Sequence, residues 1–519
     1  MRNPKMQFLI LVLIMTVALL GCSKRNDDAS VAEKTAAAMG GSATLLAVST
    51  QQTTASGQLF EPEQTFRPGD PPLSVSTFQY TLTQDLAGGR FRYDWGREVV
   101  YPFPATLTYS EVINGNQGFV DGLDTANAAA VRAGTLPVRV TTLTKLQRLT
   151  SPLALMRTAL EAPQSVETRQ DEQFNGKAHN VIALPGSVSP IRLFIDPETF
   201  LPAKADTMED DPIYGDTLYE VIYTDWRRVG DIMVPFHLTQ KVSGLGKTIT
   251  MQIEERTAVQ NNVPVQAGTL DIPAELVVAS DPADALRGER MSQHFLRRQA
   301  LGLPSYVDQS LTVVFTESNP ASGVWHVTGG SHNSLVVVMA DHVIVVEPPL
   351  YEARSQAVIA EIKTRFPGKP IRDIVISHFH FDHSGGVRAY AAEGATVVVG
   401  AQSQAHFQAV MAAPHTVVPD ALQNNPRQVT VTAVPATGLT LTDGVRTVGV
   451  YPVQNTHAED MVIAHVSGEN LVFVSDLFSP ASATVAAASI PLPLTTTFTT
   501  FGLTVNKIAG GHGTMAVVQ

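Results

Sequence analysis

Cysteine is almost missing from this sequence: Cys22 is the only one in 519 residues. No intramolecular disulfide can form, and metal cages built from several thiolates are excluded. Charge is sparse as well. Only 16% of residues are Asp, Glu, Lys or Arg, while 44% are hydrophobic. That is too apolar for a disordered chain and too evenly mixed for a multispan membrane protein. Basic residues are the scarcer kind, 36 Lys and Arg against 48 Asp and Glu, so nucleic acid is not an expected partner. Two catalytic signatures are missing too. There is no Gly-x-Ser-x-Gly nucleophile elbow. Gly246-Lys247-Thr248 is no phosphate loop, because Lys241 stands where that loop needs its first glycine and the flanks read as a hairpin. No repeat of fixed period is present. At about 100–200 residues per domain, the length predicts two or three domains.

What is present begins with an address. Arg2 and Lys5 precede an apolar run of 13 residues, Phe8 to Leu20, too short to span a bilayer comfortably. The run ends in Leu19-Leu20-Gly21-Cys22, which resembles the bacterial lipobox, where cleavage before the cysteine exposes a thiol for lipidation. The resemblance implies a signal peptide over 1–21 and a membrane anchor at Cys22. Ser23 follows where Asp would resemble an inner-membrane retention signal, so the expected location is the periplasmic side of the outer membrane. Residues 22–39 read as the lipidated cysteine and a solvated tether.

Two regions follow. Residues 40–275 read as a β-rich antiparallel accessory domain, with Thr-, Val-, Ile- and Tyr-rich segments such as Ser74–Thr83, Thr106–Val112 and Thr217–Tyr223 separated by turns at Gly88-Gly89, Asn114-Gly115-Asn116 and Asn175-Gly176. One helix is expected there, around Leu153–Leu160. The stretches Asp196-Pro197-Glu198-Thr199-Phe200-Leu201-Pro202 and Tyr223-Thr224-Asp225-Trp226-Arg227-Arg228-Val229-Gly230 loosely resemble outer-membrane lipoprotein carrier-like domains, which implies a curved sheet wrapped around helices. Residues 276–305 have helical composition and read as a linker helix. Residues 306–519 alternate strands with helices, an α/β pattern. Histidine marks the split: 11 of the 14 lie beyond Trp325.

The chemistry concentrates in Ile376-Ser377-His378-Phe379-His380-Phe381-Asp382-His383-Ser384-Gly385-Gly386. It follows an apolar strand and opens a helix. In extended chain, residues two apart point the same way, so His378 and His380 converge. Asp382 and His383, one turn on, face a second point nearby. Three imidazoles and a carboxylate suit a divalent metal such as zinc.

This His-x-His-x-Asp-His spacing resembles the metallo-β-lactamase-fold superfamily over roughly residues 313–519. The resemblance implies an αββα sandwich and three further ligands at strand ends, in order. His457, Asp476 and His512 stand in those places. It implies that His378, His380 and His457 hold one metal, that Asp382, His383 and His512 hold a second, and that Asp476 bridges the two. Asp382 would also orient a hydroxide shared between the metals. Two Zn²⁺ are the expected cofactors, with iron and manganese as alternatives. Relatives that place a cysteine at the bridging position are excluded here. One departure is Glu347, where many relatives carry Asp supporting the metal loop. His332, in a loop expected to border the site, is a candidate for substrate or proton contact. His326, His342, His406, His415 and His465 are read as surface or packing residues.

The expected activity is therefore hydrolysis of an ester, lactone, amide, β-lactam or phosphoester bond in a small-molecule substrate, with no obvious protein partner. Two rivals stand beside it. One is an iron-dependent oxidoreductase of the same fold. The other is an envelope ligand-binding lipoprotein in which the β-rich half captures the ligand and the metal domain is subordinate.

Overall fold

The computed structural model describes residues 29–124, 130–279, 282–302 and 311–519. The expected signal peptide and Cys22 lie outside the described residues, as does part of the expected linker. No helix among the described residues is long and apolar enough to cross a membrane.

From Thr50–Glu61 to Lys247–Asn261 the chain builds one antiparallel sheet of fourteen strands. The first strand pairs with Leu73–Asp85 on one side and with the last strand, Lys247–Asn261, on the other. The two halves of the meander therefore meet at the middle of the sheet. Its edges, Val131–Gly134 and Glu167–Thr168, stay apart, so the sheet is no closed barrel. One part of its core is aromatic: Phe78, Tyr80, Phe91 and Tyr93 are buried with Val140 and Leu143 of the helix Pro137–Thr150. The hairpin at Gly246 is a turn, with Leu245 and Gly246 both at positive φ between Ile232–Gly244 and Lys247–Asn261.

Two expectations are corrected. Pro137–Thr150 is a helix beside Pro152–Glu161, where only one helix was expected. Its Val138, Val140, Thr141, Thr142 and Thr144 are strand-favouring residues, and burial of Val138, Val140, Leu143 and Leu149 overrides that local preference. The tether is also shorter than expected. Val31–Met39 is a helix with a capping box, in which Ser30 and Glu33 satisfy each other's backbone N–H groups. Its Ala36 and Met39 are buried in the core.

The connecting helix, Pro282–Ala300, packs on Pro137–Thr150 and on the strand Pro202–Asp211. Its Arg297 is fully buried and donates to Asp211 at 2.8 Å, with Glu61 at 3.7 Å. Beyond it lie two seven-stranded sheets. Between them Leu335, Val337, Ile344, Val346 and Val375 of one meet Val448, Val450, Val462, Ala464 and Phe473 of the other. Alternate residues of the first sheet, such as Val336, Val345 and Ile374, lie in a core shared with Val358 and Ile362 of the helix Glu352–Arg365. On the far side, Val472, Val474 and Ile508 meet Leu494 of the helix Leu492–Thr500. The result is helix, sheet, sheet, helix.

Strand direction collects the site. Val343–Val346, Ile371–Val375 and Thr396–Gly400 run parallel, as do Leu471–Val474 and Lys507–Gly510. Parallel neighbours end at one edge, so Glu347, the His378 loop, Asp476 and His512 all emerge at strand C-termini. This is where open α/β architectures place their sites.

Candidate metal centre

His378, His380 and His383 are fully buried, while His457, Asp476 and His512 keep 23%, 19% and 30% of their side chains exposed. Ligand atoms of His378, His380, His457 and Asp476 lie within 4.8 Å of one another, and so do those of His332, His383 and His512. Asp476 joins the two groups. Its Oδ2 lies 3.1 Å from His457 Nε2 and 3.7 Å from His378 Nε2. Its Oδ1 lies 2.9 Å from His383 Nε2 and 3.1 Å from His512 Nε2.

One nitrogen of each of five imidazoles is tied down behind the site. His378 Nδ1 meets Ser377 Oγ at 2.9 Å, and Ser377 Oγ donates in turn to Glu347 Oε1. His383 Nδ1 meets Glu347 Oε2 and Ser475 Oγ, each at 3.1 Å. His512 Nδ1 donates to the Ser331 carbonyl at 2.8 Å, and His332 Nδ1 meets Ser331 Oγ at 2.7 Å. His380 is anchored the other way round, through Nε2 to the Thr65 carbonyl at 2.9 Å. The opposite nitrogens of His378, His380, His383 and His512 face the centre, and that of His332 faces Asp382 Oδ2 at 3.3 Å. Such outer contacts are what orient imidazole ligands.

The residues fit a divalent cation. His380 Nδ1, His383 Nε2 and Asp476 Oδ1 are buried without a hydrogen-bond partner of good geometry, even though the last two lie 2.9 Å apart. His378 Nε2 and His457 Nε2 approach to 3.3 Å. Two nitrogens each bound to a tetrahedral zinc at about 2.0–2.1 Å lie about 3.3 Å apart. Burial holds His378 well below the usual imidazole range and His380 at about 3, with neighbouring histidines adding to it. Both are therefore neutral, the form that ligates. Burial also works against charge on His383, but the Asp476 and Glu347 carboxylates outweigh it and hold a proton there. A cation would displace that proton.

Glu347, the residue that departs from Asp, reaches both loops. Its φ is 63°, and its two oxygens serve Ser377 and His383. Asp382 is buried against the His332 side of the second group. Gln64 Nε2 donates to its Oδ1 at 2.7 Å, and Arg298 Nη1 to its Oδ2 at 3.1 Å. His332 Nε2 is 3.3 Å from the same oxygen. His332 thus lies inside the second group and not at its border.

Gln64, Thr65 and Arg298 carry no sequence signal, since they come from the β-rich half and the connecting helix. They belong to a short strap after Thr50–Glu61 and to the last turn of Pro282–Ala300. The strap is stitched to the metal domain by Phe381 N–H to the Glu63 carbonyl, Glu459 N–H to the Phe66 carbonyl, and a paired contact of Arg67 with Glu459. Of the histidines set aside, His326 bonds the Gly510 carbonyl, His465 the Thr504 carbonyl and His342 Asp341. His406 and His415 face Glu63 and Asp210 across the junction of the two halves.

Residues 327–499 match the family model described as the metallo-beta-lactamase superfamily. This segment is a metallo-β-lactamase-superfamily domain. Solved structures similar to the chain include a metallo-beta-lactamase from Pontibacter korlensis, at 17% identity, covering 40% of this chain and 94% of that one with a TM-score of 0.29. The mono-zinc form of the metallo-beta-lactamase FIM-1 from Pseudomonas aeruginosa is 21% identical, over 40% of this chain and 89% of its own, with a TM-score of 0.30. No curated protein matches the chain. Superfamily membership supports metal-dependent hydrolysis as a broad activity class, and the fold implies divalent metal binding.

Proposed function

We propose that this chain is a metallohydrolase with two adjoining cation subsites, acting on an ester, lactone, amide, β-lactam or phosphoester bond. The observation that carries this reading is Asp476, one carboxylate whose two oxygens face two different imidazole groups. His378, His380 and His457 would hold one cation, His383 and His512 the other, with Asp476 shared. When bound, paired divalent cations supply Lewis acidity and a water acidified from about 15.7 toward 7. The chain's own residues do the rest. Glu347 and Ser377 aim His378, and Glu347 and Ser475 aim His383. The buried floor of His378, His380 and His383 excludes solvent from behind, so substrate approaches over His457, Asp476 and His512.

A cleft of about 580 Å³ runs beside the His457 loop, lined by residues that include Glu459, Asp460, Met461, Leu492, Thr496 and Phe501. Neither Lys nor Arg is among its lining residues. With Glu459 and Asp460 in the lining, that disfavours an anionic substrate portion and favours the ester, lactone and amide classes over a phosphoester. A lipid anchor at Cys22 would hold this activity at the periplasmic face of the outer membrane.

The test is metal content of the soluble chain from Ser23 onward, paired with hydrolysis of nitrocefin, a homoserine lactone, bis-p-nitrophenyl phosphate and a p-nitrophenyl ester. About two zinc per chain, with turnover of one substrate abolished in His378→Ala and Asp476→Ala, supports the reading. A folded chain that takes up no metal sinks it. Bound iron with no turnover moves the oxidoreductase reading forward, because imidazole and carboxylate accept iron as readily.

A further inference from the structure

Two segments of the β-rich half reach the metal centre, and each presents an aromatic side chain there. The first is the strap after Thr50–Glu61. Its residues 62–65 are buried, yet Phe66 directly after them is 37% exposed. The backbone around that ring is fixed on both sides. The Thr65 carbonyl accepts from His380 Nε2 at 2.9 Å, and the Phe66 carbonyl accepts from Glu459 N–H at 2.9 Å. Thr65 Oγ1 donates to the Arg67 carbonyl at 2.7 Å. The Arg67 guanidinium, paired with Glu459, lies 5.5 Å from the centre of the Phe66 ring. A large apolar side chain is thus held at the surface, between a contact to a candidate ligand and a contact to Glu459, which lines the cleft.

The second segment is the turn Val100-Tyr101-Pro102-Phe103-Pro104, which joins Arg90–Val99 to Ala105–Asn114. Its base is sewn to the sheet, with Val100 N–H donating to the Val75 carbonyl at 2.9 Å. Two prolines stiffen it. Tyr101 is half-buried and meets the strap: its Oη donates to Gln64 Oε1 at 3.2 Å, and Gln64 Nε2 donates to Asp382 Oδ1 at 2.7 Å. The phenol therefore stands one amide group away from the His378–His383 loop. Burial pushes the phenol up, and the carboxylates of Asp382 and Asp476 add to this, so it lies within reach of both. Its hydroxyl is engaged with Gln64, and the ring is what Tyr101 offers to an incoming molecule. Val100 and Phe103, each 59% exposed, add apolar surface to the same turn. Uncovered apolar groups are unfavourable in water, and several gathered beside a polar site mark a ligand contact.

We propose that Phe66 and the Tyr101 ring form a substrate-recognition wall of the metal centre, selecting substrates that carry an apolar group next to the scissile bond. This inference rests on the metallohydrolase reading and narrows its substrate class. The β-rich half then has a definite role. The metal domain supplies the groups at the reacting atoms, and the β-rich half supplies discrimination between substrates. Because both segments are tied down by hydrogen bonds, the wall is built before substrate arrives, and little ordering is needed on binding.

The experiment uses the Co²⁺-loaded chain from Ser23 onward and three probes with the same metal-binding head: acetohydroxamate, octanohydroxamate and benzohydroxamate. Affinity is read from the change in d–d absorption, so turnover is not required. Wild type should bind octanohydroxamate or benzohydroxamate at least about tenfold more tightly than acetohydroxamate. Phe66→Ala and Tyr101→Ala should each compress that ratio to within about threefold. Tyr101→Phe keeps the ring and should restore the ratio. Thermal denaturation and cobalt content check that each variant is folded and loaded, and if Tyr101→Ala is not, the surface variant Phe66→Ala decides. Equal affinity for the three probes in wild type, or binding of none, overturns the proposal, as does an unchanged ratio in Phe66→Ala and Tyr101→Ala. A ratio that falls in Leu492→Ala and in neither of those two places the apolar group in the cleft of the metal domain and also overturns it. A loss in Tyr101→Phe as large as in Tyr101→Ala assigns the effect to the hydroxyl's hold on Gln64 and overturns the wall at that residue. A folded wild-type chain that binds no Co²⁺ overturns the metallohydrolase reading, and this inference with it.

Discussion

Glu347→Gln isolates the outer contacts of the centre without changing its size. Glu347 is fully buried, and its oxygens serve two donors: Ser377 Oγ, which supports His378, and His383 Nδ1 at 3.1 Å. A glutamine presents one acceptor and one N–H₂, so one of the two donors meets another donor. An unsatisfied buried polar group costs about 1–3 kcal/mol. At about 1.4 kcal/mol per tenfold, that is roughly 5- to 150-fold in cation affinity, in line with the 10–100-fold range for outer-shell partners. The backbone cannot slide to compensate. Glu347 sits at φ 63°, pinned by its N–H to the Val375 carbonyl and by Ser334 Oγ on its own carbonyl. The assay is Zn²⁺ competition against a chromogenic chelator, run on wild type, Glu347→Gln and Glu347→Asp. Glutamine should weaken binding by about 10–100-fold. Aspartate, which keeps two acceptors but retracts them, should fall between. Affinity in Glu347→Gln within twofold of wild type would refute the claim that Glu347 aims His378 and His383.

Three further outcomes test other parts of the chain. Arg139 is buried between Glu111 and Asp124; Arg139→Met leaves two carboxylates without a cationic partner and should cost about 3–5 kcal/mol in urea denaturation, whereas Arg67→Ala, on an exposed pair with Glu459, should leave the denaturation midpoint nearly unchanged. Met39→Ala should cost about 2–5 kcal/mol because Met39 is fully buried; no change in denaturation midpoint would return that helix to the status of a tether. His294 is buried between Tyr351 and Phe381, and burial, reinforced by Arg298 and Arg297, pushes its imidazole down to about 3. Its folded value lies below its unfolded one, so its neutral form supports the fold above about pH 6.5 and that support is lost as pH falls toward 3. His294→Phe should therefore flatten the acid limb of a stability–pH curve, and an unchanged limb would contradict this.

Much of the metal domain was legible in the chain. The motif from His378 to His383 announces itself because it is dense, and because residues two apart in extended backbone must converge. His457, Asp476 and His512 were legible only through family order, since each alone looks ordinary. The helix Pro137–Thr150 was hidden because its Val and Thr content argues for strand, and only burial against the sheet reverses that. The helix Val31–Met39 was hidden because alanine-rich, weakly amphipathic segments read as linker until their partners are known.

The role of Asp382 divides what the sequence determined from what only the tertiary structure decided. Local spacing determined that Asp382 would lie near the histidines of its own motif, because covalent geometry binds them to it. Which further groups it meets depends on Gln64 and Arg298, far away in the chain. Their positions follow from the pairing of Thr50–Glu61 at the middle of a fourteen-strand sheet and from the burial of Arg297 under that sheet. A carboxylate's partner is chosen by distance in space, and electrostatic attraction at about 3 Å overrules sequence position. The spacing of the loop is thus a property of the motif, and the partners of its carboxylate are a property of the whole fold.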